Sequence, residues 1–542
     1  MRFPRRADTL QRLALETFDV VIVGGGINGA AIARDAALRG LSVALLERDD
    51  FASGTSSRSS RLIHGGVRYL EHGYLHLVFE ASRERRILLA TAPHLVRPLP
   101  FTWPMYAGAR IPRWKLLAGL WLYDVLALFR NVKNHVRLSP RGVLEREPAL
   151  TAHGLRGGAL YYDASTHDTR LTLANALDAA ALGAAVLNHA DVTGLERNGG
   201  TAAGVTARDT IGGGTFLVRA RCVVNAAGPW SDEVRTWDEP GHGAGVRGTK
   251  GAHVQVLRDR IGNRRAVTLV SPVDGRVMFV LPAGAHTIIG TTDTETTMTP
   301  DQVRATEADV DYLLRSANGC FPNAKLERAD VISAWAGLRP LIASGNTGTP
   351  ASASREHAIH VSAAGVVSIS GGKLTTYRAM SADVVDTVER ALGRTHMPCT
   401  TGTRCLPGGD TSDIGDVERE AARSAGDADV GVQLVAAYGT EWRAVWALAD
   451  ADRTLATRLV PHLPVIGAQM VYAVLHEGAC TLADLLVRRT HLAFDLRDQA
   501  RALAPVVAAL VAPHVGWTAA GVTAAVQEWE REAARLFTIA PE

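Results

Sequence analysis

Cysteine is scarce in this sequence: five residues, Cys222, Cys320, Cys399, Cys405 and Cys480, in a chain of 542. They form no CxxC pair and leave an odd number. That excludes a disulfide scaffold and a cysteine-built structural zinc site, and it suits a reducing compartment. Long apolar runs are also missing. No stretch approaches the roughly 20 residues needed to cross a bilayer, and the best candidate, 116–129, carries Asp124 in its middle. Charge of one sign is not in excess either, with 58 basic against 55 acidic residues, so a nucleic-acid coat is excluded. Residues 1–18 are basic but have no apolar core of signal-peptide length, and they read as a cytosolic tail. What is present is globular, with 47% hydrophobic and 21% charged residues over a length that predicts at least two domains.

Residues 19–23, DVVIV, read as a buried strand that runs straight into a glycine-rich turn. A helix to about residue 39 follows, with Gly40 as its stop, then a second strand, SVALLE. Gly24, Gly26 and Gly29 match GxGxxG. The first glycine permits the tight turn, the second lets backbone approach a pyrophosphate, and the third lets the helix pack closely on the sheet. The helix N-terminus near Asn28 aims N–H groups and a positive dipole end at phosphates. Glu47 closes the second strand, where a carboxylate can accept from a ribose diol. This register predicts a dinucleotide site and leaves FAD and NAD both open.

Two further junctions favour FAD. In VVNAAGPW, the small residues Ala226, Ala227 and Gly228 follow a strand, where backbone can pass close to a cofactor. In GGKLTTYR, Gly371 and Gly372 precede a helix whose N-terminus can face developing negative charge. Elsewhere, 52–66 is too rich in Ser, Gly and Arg for regular core structure. Residues 74–92 and 168–186 have helical periodicity, and Pro93, Pro98, Pro100 and Pro104 are expected to break the chain into extended segments. The runs AHVQVL, VMFVLP and HTIIGTT predict a β-rich region. Beyond a boundary at 396–410 the chain reads as helical to its end.

Taken in order, VIVGGGINGAAIARDAALRGLSVALLE, TSSRSSRLIHGGVRYLEHG, VVNAAGPW, KGAHVQV, IIGTTDTE, AGLRPL and SISGGKLTTYR resemble the FAD-dependent glycerol-3-phosphate dehydrogenase family. ADLLVRRTHLAF, at 483–494, is similar to that family's C-terminal region. The resemblance implies an α/β fold: an FAD-binding doubly wound, Rossmann-like sheet interleaved with an antiparallel β substrate domain over 19–398, then an α-helical domain over 399–542. It implies oxidation of sn-glycerol 3-phosphate to dihydroxyacetone phosphate, with electrons leaving FAD for a membrane quinone. By motif position it implies substrate contacts at Arg68, Tyr69, His253, Arg339, Lys373 and Thr376. Cofactor contacts are expected at Gly24, Gly26, Ile27, Asn28, Gly29, Glu47, Arg48, Thr55, Ser56, Ser57, His64, Gly65, Gly66, Ala226, Gly228, Gly372, Lys373, Leu374 and Thr375, and no metal is expected. Arg58 and Arg61 are modest departures from the family pattern, at positions where small residues or Lys also occur in relatives.

The chemistry asks for hydride removal from carbon and proton removal from oxygen. A flavin takes the hydride, so the protein must supply position, charge and a base. Arg339 and Arg68 suit a phosphate, because a guanidinium is a planar, permanently charged fork. Lys373 at a helix start suits developing negative charge. His253 is the candidate base, since a free imidazole titrates near ~6.5 and is neutral at working pH. An oxidase that passes electrons to oxygen stays open as an alternative, as does a non-catalytic flavin-binding module. A homodimer is likewise open. Six basic residues flank or border the apolar run at 116–129, a pattern that suits either an anionic membrane surface or a buried helix with snorkelling ends. The expected location is the cytoplasm, with contact to the cytoplasmic face of the inner membrane.

Overall fold

The strand Thr17–Val23 lies between Val43–Leu46 and Thr215–Asn225, parallel to both. The computed structural model describes residues 3–66, 70, 73–241, 245–342 and 356–541, with backbone alone at 246, 247 and 342. In the first sheet the strands run in the order His357–Val361, Val367–Gly371, Thr215–Asn225, Thr17–Val23, Val43–Leu46, Ala185–Leu187. A parallel sheet must be covered on both faces, and its strands accordingly read as continuous apolar runs. One face carries the helices Ile27–Leu38, Asp168–Ala181 and Tyr377–Ala391 through Ile32, Ala36, Ala176, Val384 and Val388. The other is covered by Leu13 of the helix Arg6–Leu15 and by the hairpin Ala190–Asn198/Thr201–Asp209.

The second sheet is mostly antiparallel. Val246–Leu257 pairs along its length with Val331–Ile342 and also with His286–Gly290, while Val96–Tyr106 pairs with Leu155–Thr166. Three of the four prolines expected to break the chain, Pro98, Pro100 and Pro104, instead sit inside one continuous strand, Val96–Tyr106, while Pro93 lies in the turn before it. Pro98, Pro100 and Pro104 are spaced by even numbers, so their missing donors fall on the same edge and the other edge keeps its ladder.

The C-terminal region packs against this second sheet, where Met470, Phe494, Trp529 and Phe537 share a core with Phe101, Tyr161 and Trp335. Its helices are interrupted by the hairpin Arg458–Val460/Leu463–Ile466 and by a π-helical segment, Asp484–Arg489, so the region is not helical throughout. That segment presents Arg488 and Arg489 to the buried Asp50, at 3.0 and 2.5 Å. Asp50 follows the Val43–Leu46 strand closely, so the ion pairs tie the C-terminal region to the first sheet. The architecture is therefore α/β: a doubly wound sheet interleaved in sequence with an antiparallel one, plus a mainly helical C-terminal region.

Candidate active site

The glycine turn after the first strand is held by close backbone approach. Gly24 has φ +105° and donates its N–H to Leu46 O at 2.8 Å. A Cβ on Gly29 would overlap the carbonyl oxygen of Gly24 and lie 3.0 Å from its carbon, so this helix can approach the turn only with glycine there. At Gly26 the added atom would meet Ser56 Oγ alone, at 3.3 Å. Ser56 Oγ in turn accepts from Ile27 N–H at 3.0 Å. The N-terminus of Ile27–Leu38 thus opens onto a cavity of about 330 Å³ whose wall includes Gly24, Gly26, Ile27 and Asn28.

The two other junctions reach the same cavity. Ala226 N–H donates to Val23 O at 2.9 Å, which sets Ala226, Ala227 and Gly228 beside Gly24 on the wall. Gly371 and Gly372, at φ +79° and +83°, turn the chain so that Lys373 and Leu374 join them there. Three bends near positions 24, 228 and 371 therefore line one cavity. Glu47, Arg48, Thr55, Ser56 and His64 line it as well. Arg48 is paired with Asp301 at 2.7 Å and stacks 4.7 Å over Trp230, another wall residue. A helix start with open N–H groups, a glycine where backbone must come close, and apolar walls from Val23, Leu46 and Val192 fit a dinucleotide of the FAD type.

Glu47 does more local work than a ribose contact. Its Oε2 accepts from Gly25 N–H at 2.5 Å, and its Oε1 accepts from Asp49 N–H at 2.9 Å and from the Ser53 hydroxyl at 3.2 Å. Burial, with Asp49 nearby, holds this carboxyl above its usual range. Oε2 keeps a lone pair for a further donor. Gly29, Ser57, Gly65, Gly66, Thr375 and Thr376 are not on the wall. Gly65 donates to Asp163 Oδ1 at 3.0 Å, and the Thr375 hydroxyl pins the backbone of His64, accepting from its N–H at 3.1 Å and donating to its carbonyl at 3.2 Å. The Thr376 hydroxyl turns to Met380 Sδ at 3.6 Å and Lys373 O at 3.5 Å. Arg68 and Tyr69 lie outside the described residues.

Among the groups expected at the reacting end, His253, Arg339 and Lys373 share the wall. Strand register sets His253 opposite Trp335 and Arg339 opposite Thr249. The Arg339 guanidinium lies across Gly251, where a Cβ would overlap Nη2 and sit 2.7 Å from Cζ. It donates to Asp293 Oδ1 at 2.9 Å and, through Nη2, to Thr291 Oγ1 and Thr292 O at 3.1 Å each. His253 is buried, stacks on Trp335 with ring centroids 5.4 Å apart, and shares a 2.8 Å hydrogen bond between Nε2 and Ser60 Oγ. Burial, then the positive charges of Arg339 and Arg61, pull its pKa down to about 3.

Of the two departing arginines, Arg58 is on the wall, and burial followed by Arg535 brings its pKa down to about 10. Arg61 lies off the wall, over the rings of Trp335 and Phe494 at 5.4 and 5.0 Å. Gly251, Ser59, Ser60, Gly337 and Trp335 were not anticipated from sequence. A signal existed for the two serines, in the polar stretch that carries them, and for Gly251, in the small residue beside a candidate base.

Residues 19–378 match the family of FAD-dependent oxidoreductases, and residues 399–522 match the C-terminal domain of alpha-glycerophosphate oxidase. The chain is 40% identical over 525 residues to glycerol-3-phosphate dehydrogenase 2 of Mycobacterium tuberculosis, covering 96% of this chain and 88% of that protein. It is 37% identical to a glycerol-3-phosphate dehydrogenase of Synechocystis, covering 92% and 93% respectively. The crystal structure of the glycerol-3-phosphate dehydrogenase from Bacillus halodurans complexed with FAD is similar with a TM-score of 0.81 and 33% identity, covering 98% of this chain and 97% of that one.

Proposed function

The chain belongs to the family of FAD-dependent glycerol-3-phosphate dehydrogenases, and from that premise we propose that it oxidises sn-glycerol 3-phosphate to dihydroxyacetone phosphate and delivers the electrons to a membrane quinone. It is an enzyme, and its cofactor is FAD. The observation that carries the reading is the meeting of His253, Arg339 and Lys373 on the cavity that the three glycine bends line.

Gly26 and Asn28 would hold the pyrophosphate through backbone N–H groups, with the Gly24 turn and Ile27 beside them on the wall and Glu47 toward the ribose. Bound there, FAD would supply a two-electron acceptor for the hydrogen on the substrate's carbinol carbon. Arg339 receives the substrate phosphate. Its fork is held by Asp293 and Thr291, so little side-chain freedom is lost on binding. His253, neutral at working pH, accepts the hydroxyl proton. An anionic substrate beside it opposes the cations that depress its pKa and makes it a stronger base than in the empty site. Lys373 places positive charge beside the atoms that become negative.

The electron acceptor lives in lipid, and the helix Arg113–Leu126 supports contact there. Leu116, Leu120, Tyr123 and Asp124 face inward, whereas Trp114, Trp121, Leu128 and Phe129 stand 56–73% exposed in and just after it. Asp124 is spent internally on His135 Nδ1 at 2.7 Å. The outward face is therefore apolar with Arg110, Arg113, Lys115, Arg130, Lys133 and Arg137 around it, which suits a peripheral site on an anionic leaflet. Among the described residues no helix is long and apolar enough to cross a membrane.

The test is the visible spectrum of the purified protein under anaerobic conditions. A flavin band that bleaches on addition of glycerol 3-phosphate is the expected result, and a band that the compound leaves unchanged removes the substrate assignment. Peroxide produced in step with substrate consumed would replace the quinone by oxygen.

A further inference from the structure

Behind His253 lies a cluster of ionisable groups that the reaction above does not use. Ser59 and Ser60 are consecutive on the cavity wall. Ser60 Oγ bonds His253 Nε2, while the Ser59 hydroxyl donates to Asp168 Oδ2 at 2.6 Å and accepts from Arg61 N–H at 2.9 Å. Asp168 is fully buried at the start of the helix Asp168–Ala181. Its Oδ1 accepts from Thr169 N–H at 2.9 Å and lies 4.0 Å from His491 Nε2. The rings of His491 and His167 stack 3.9 Å apart, with the Thr169 hydroxyl within 3.3 and 3.1 Å of one nitrogen of each. Nε and Nη2 of Arg61 have no hydrogen-bond partner among the described residues. Four separate parts of the chain thus converge: residues 59–61, 167–169, the strand Val331–Ile342 and residues 491–494.

Oxidation of an alcohol releases one proton per turnover into this buried site. Resting on the reading of the site as an alcohol-oxidising one, we infer that Asp168 is the proton store of the reaction, reached from His253 through the hydroxyls of Ser60 and Ser59. A proton taken up by the imidazole leaves through the nitrogen that has a partner, Nε2, to Ser60 Oγ. Ser60 passes its own proton to a cavity water, the water passes one to the remaining lone pair of Ser59, and Ser59 gives its proton to Asp168 Oδ2. Each hydroxyl gains one proton and loses one. The net change is imidazolium plus carboxylate to imidazole plus carboxylic acid, with no electrons moved. Burial and the charges of Arg339 and Arg61 work against a proton staying on His253, while burial of Asp168 favours its neutral, protonated form. The charge of Arg61 opposes that effect of burial and favours release of the proton between turnovers.

The groups that set the titration are Arg61, Ser59, Thr169 and His491 around Asp168, and Ser60, Arg61 and Arg339 around His253. Burial and Arg61 hold His491 neutral, and burial, Arg61 and Arg170 do the same for His167, so neither competes for the proton. The experiment is rapid-mixing anaerobic reduction of the bound flavin by glycerol 3-phosphate across pH, in wild type, Asp168→Asn and Ser59→Ala. The expected result is normal flavin content with reduction slowed at least about tenfold in both variants, and loss in Asp168→Asn of the acid limb that wild type shows as the carboxylate protonates. Wild-type rates and an unchanged pH profile in both variants would overturn the proton store. Should Asp168→Asn lose its flavin, Ser59→Ala decides alone, because it removes one hydroxyl and leaves the carboxylate in place. A wild-type flavin that glycerol 3-phosphate does not bleach sinks the function itself, whereas bleaching with unaltered variants sinks only the relay.

Discussion

Arg339 lies across Gly251, two strand positions from His253, with its guanidinium where a side chain at 251 would begin. Two neighbouring strands therefore deliver the anion-binding fork and the candidate base to the same wall. The fork's position depends on a missing methyl group. Gly251→Ala must push the guanidinium off Asp293 and Thr291. The expected outcome is a KM for glycerol 3-phosphate raised at least about tenfold, equivalent to about 1.4 kcal/mol of lost binding, with flavin content unchanged. Steady-state kinetics with the flavin absorbance ratio of the purified variant checks it.

Gly29 is constrained by backbone and has no flexible neighbour to yield. Gly29→Ala is expected to cost about 3 kcal/mol or more and to abolish flavin retention, because the helix must leave the turn that cradles the pyrophosphate. Gly119, inside the helix Arg113–Leu126, has nothing among the described residues within 4 Å of an added Cβ. Gly119→Ala should stabilise the protein by about 0.5–1 kcal/mol with flavin retained, and thermal melts of the two variants side by side make the comparison.

His253→Asn keeps a polar group of similar size but cannot carry a proton. Turnover should fall about a hundredfold or more, with flavin binding intact. Turnover equal to wild type at every pH would mean that the base is another group.

Stability should fall in acid through the buried histidines. Burial is the first cause that depresses His94, His167, His253 and His491, and His94 and His253 reach about 3. In the unfolded chain each titrates near ~6.5, so the unfolded state binds more protons as pH drops below that value. The stabilisation is complete above about 6.5 and is lost as pH falls below it, down to about 3 for His94 and His253, at up to about 1.4 kcal/mol per pH unit for each group. Melting temperatures from pH 7 to 4 should show a steep decline, and His94→Leu, remote from the cavity wall, should make it shallower. A flat curve over that range contradicts the assignment.

Membrane contact is read directly by sedimentation with vesicles of anionic and of neutral lipid. Trp114→Ser with Trp121→Ser and Phe129→Ser should abolish binding to anionic vesicles and leave anaerobic flavin reduction unchanged, since these side chains point outward. Binding that survives in the triple variant places the contact elsewhere.

The backbone devices of the site were legible in sequence because glycine patterns dictate conformation locally. Gly24, Gly29, Gly371 and Gly372 each adopt a turn or a contact that other residues resist, and the expected junctions near 24, 228 and 371 line one cavity. Facing was harder to read. Thr376 and Thr375 sit in the right motif, yet their hydroxyls satisfy Met380, Lys373 O and the backbone of His64. Proline content suggested breaks in 93–104, where even spacing instead let one strand keep its ladder.

Local sequence by itself determined the strand–glycine–helix unit, the apolar runs of both sheets and the amino acids available for the chemistry, because steric limits on φ, hydrophobic burial and side-chain chemistry act over a few residues. Only the tertiary structure decided which of those groups meet. Phe494 and His491 come from the C-terminal region to stand behind Trp335 and Asp168, more than 150 and 300 residues away respectively. Arg61, one of the two departures from the family pattern, turns away from the cavity into that same assembly. Such meetings depend on sheet register and on the packing of distant helices, and the charges involved are strong only because the fold has removed the water between them.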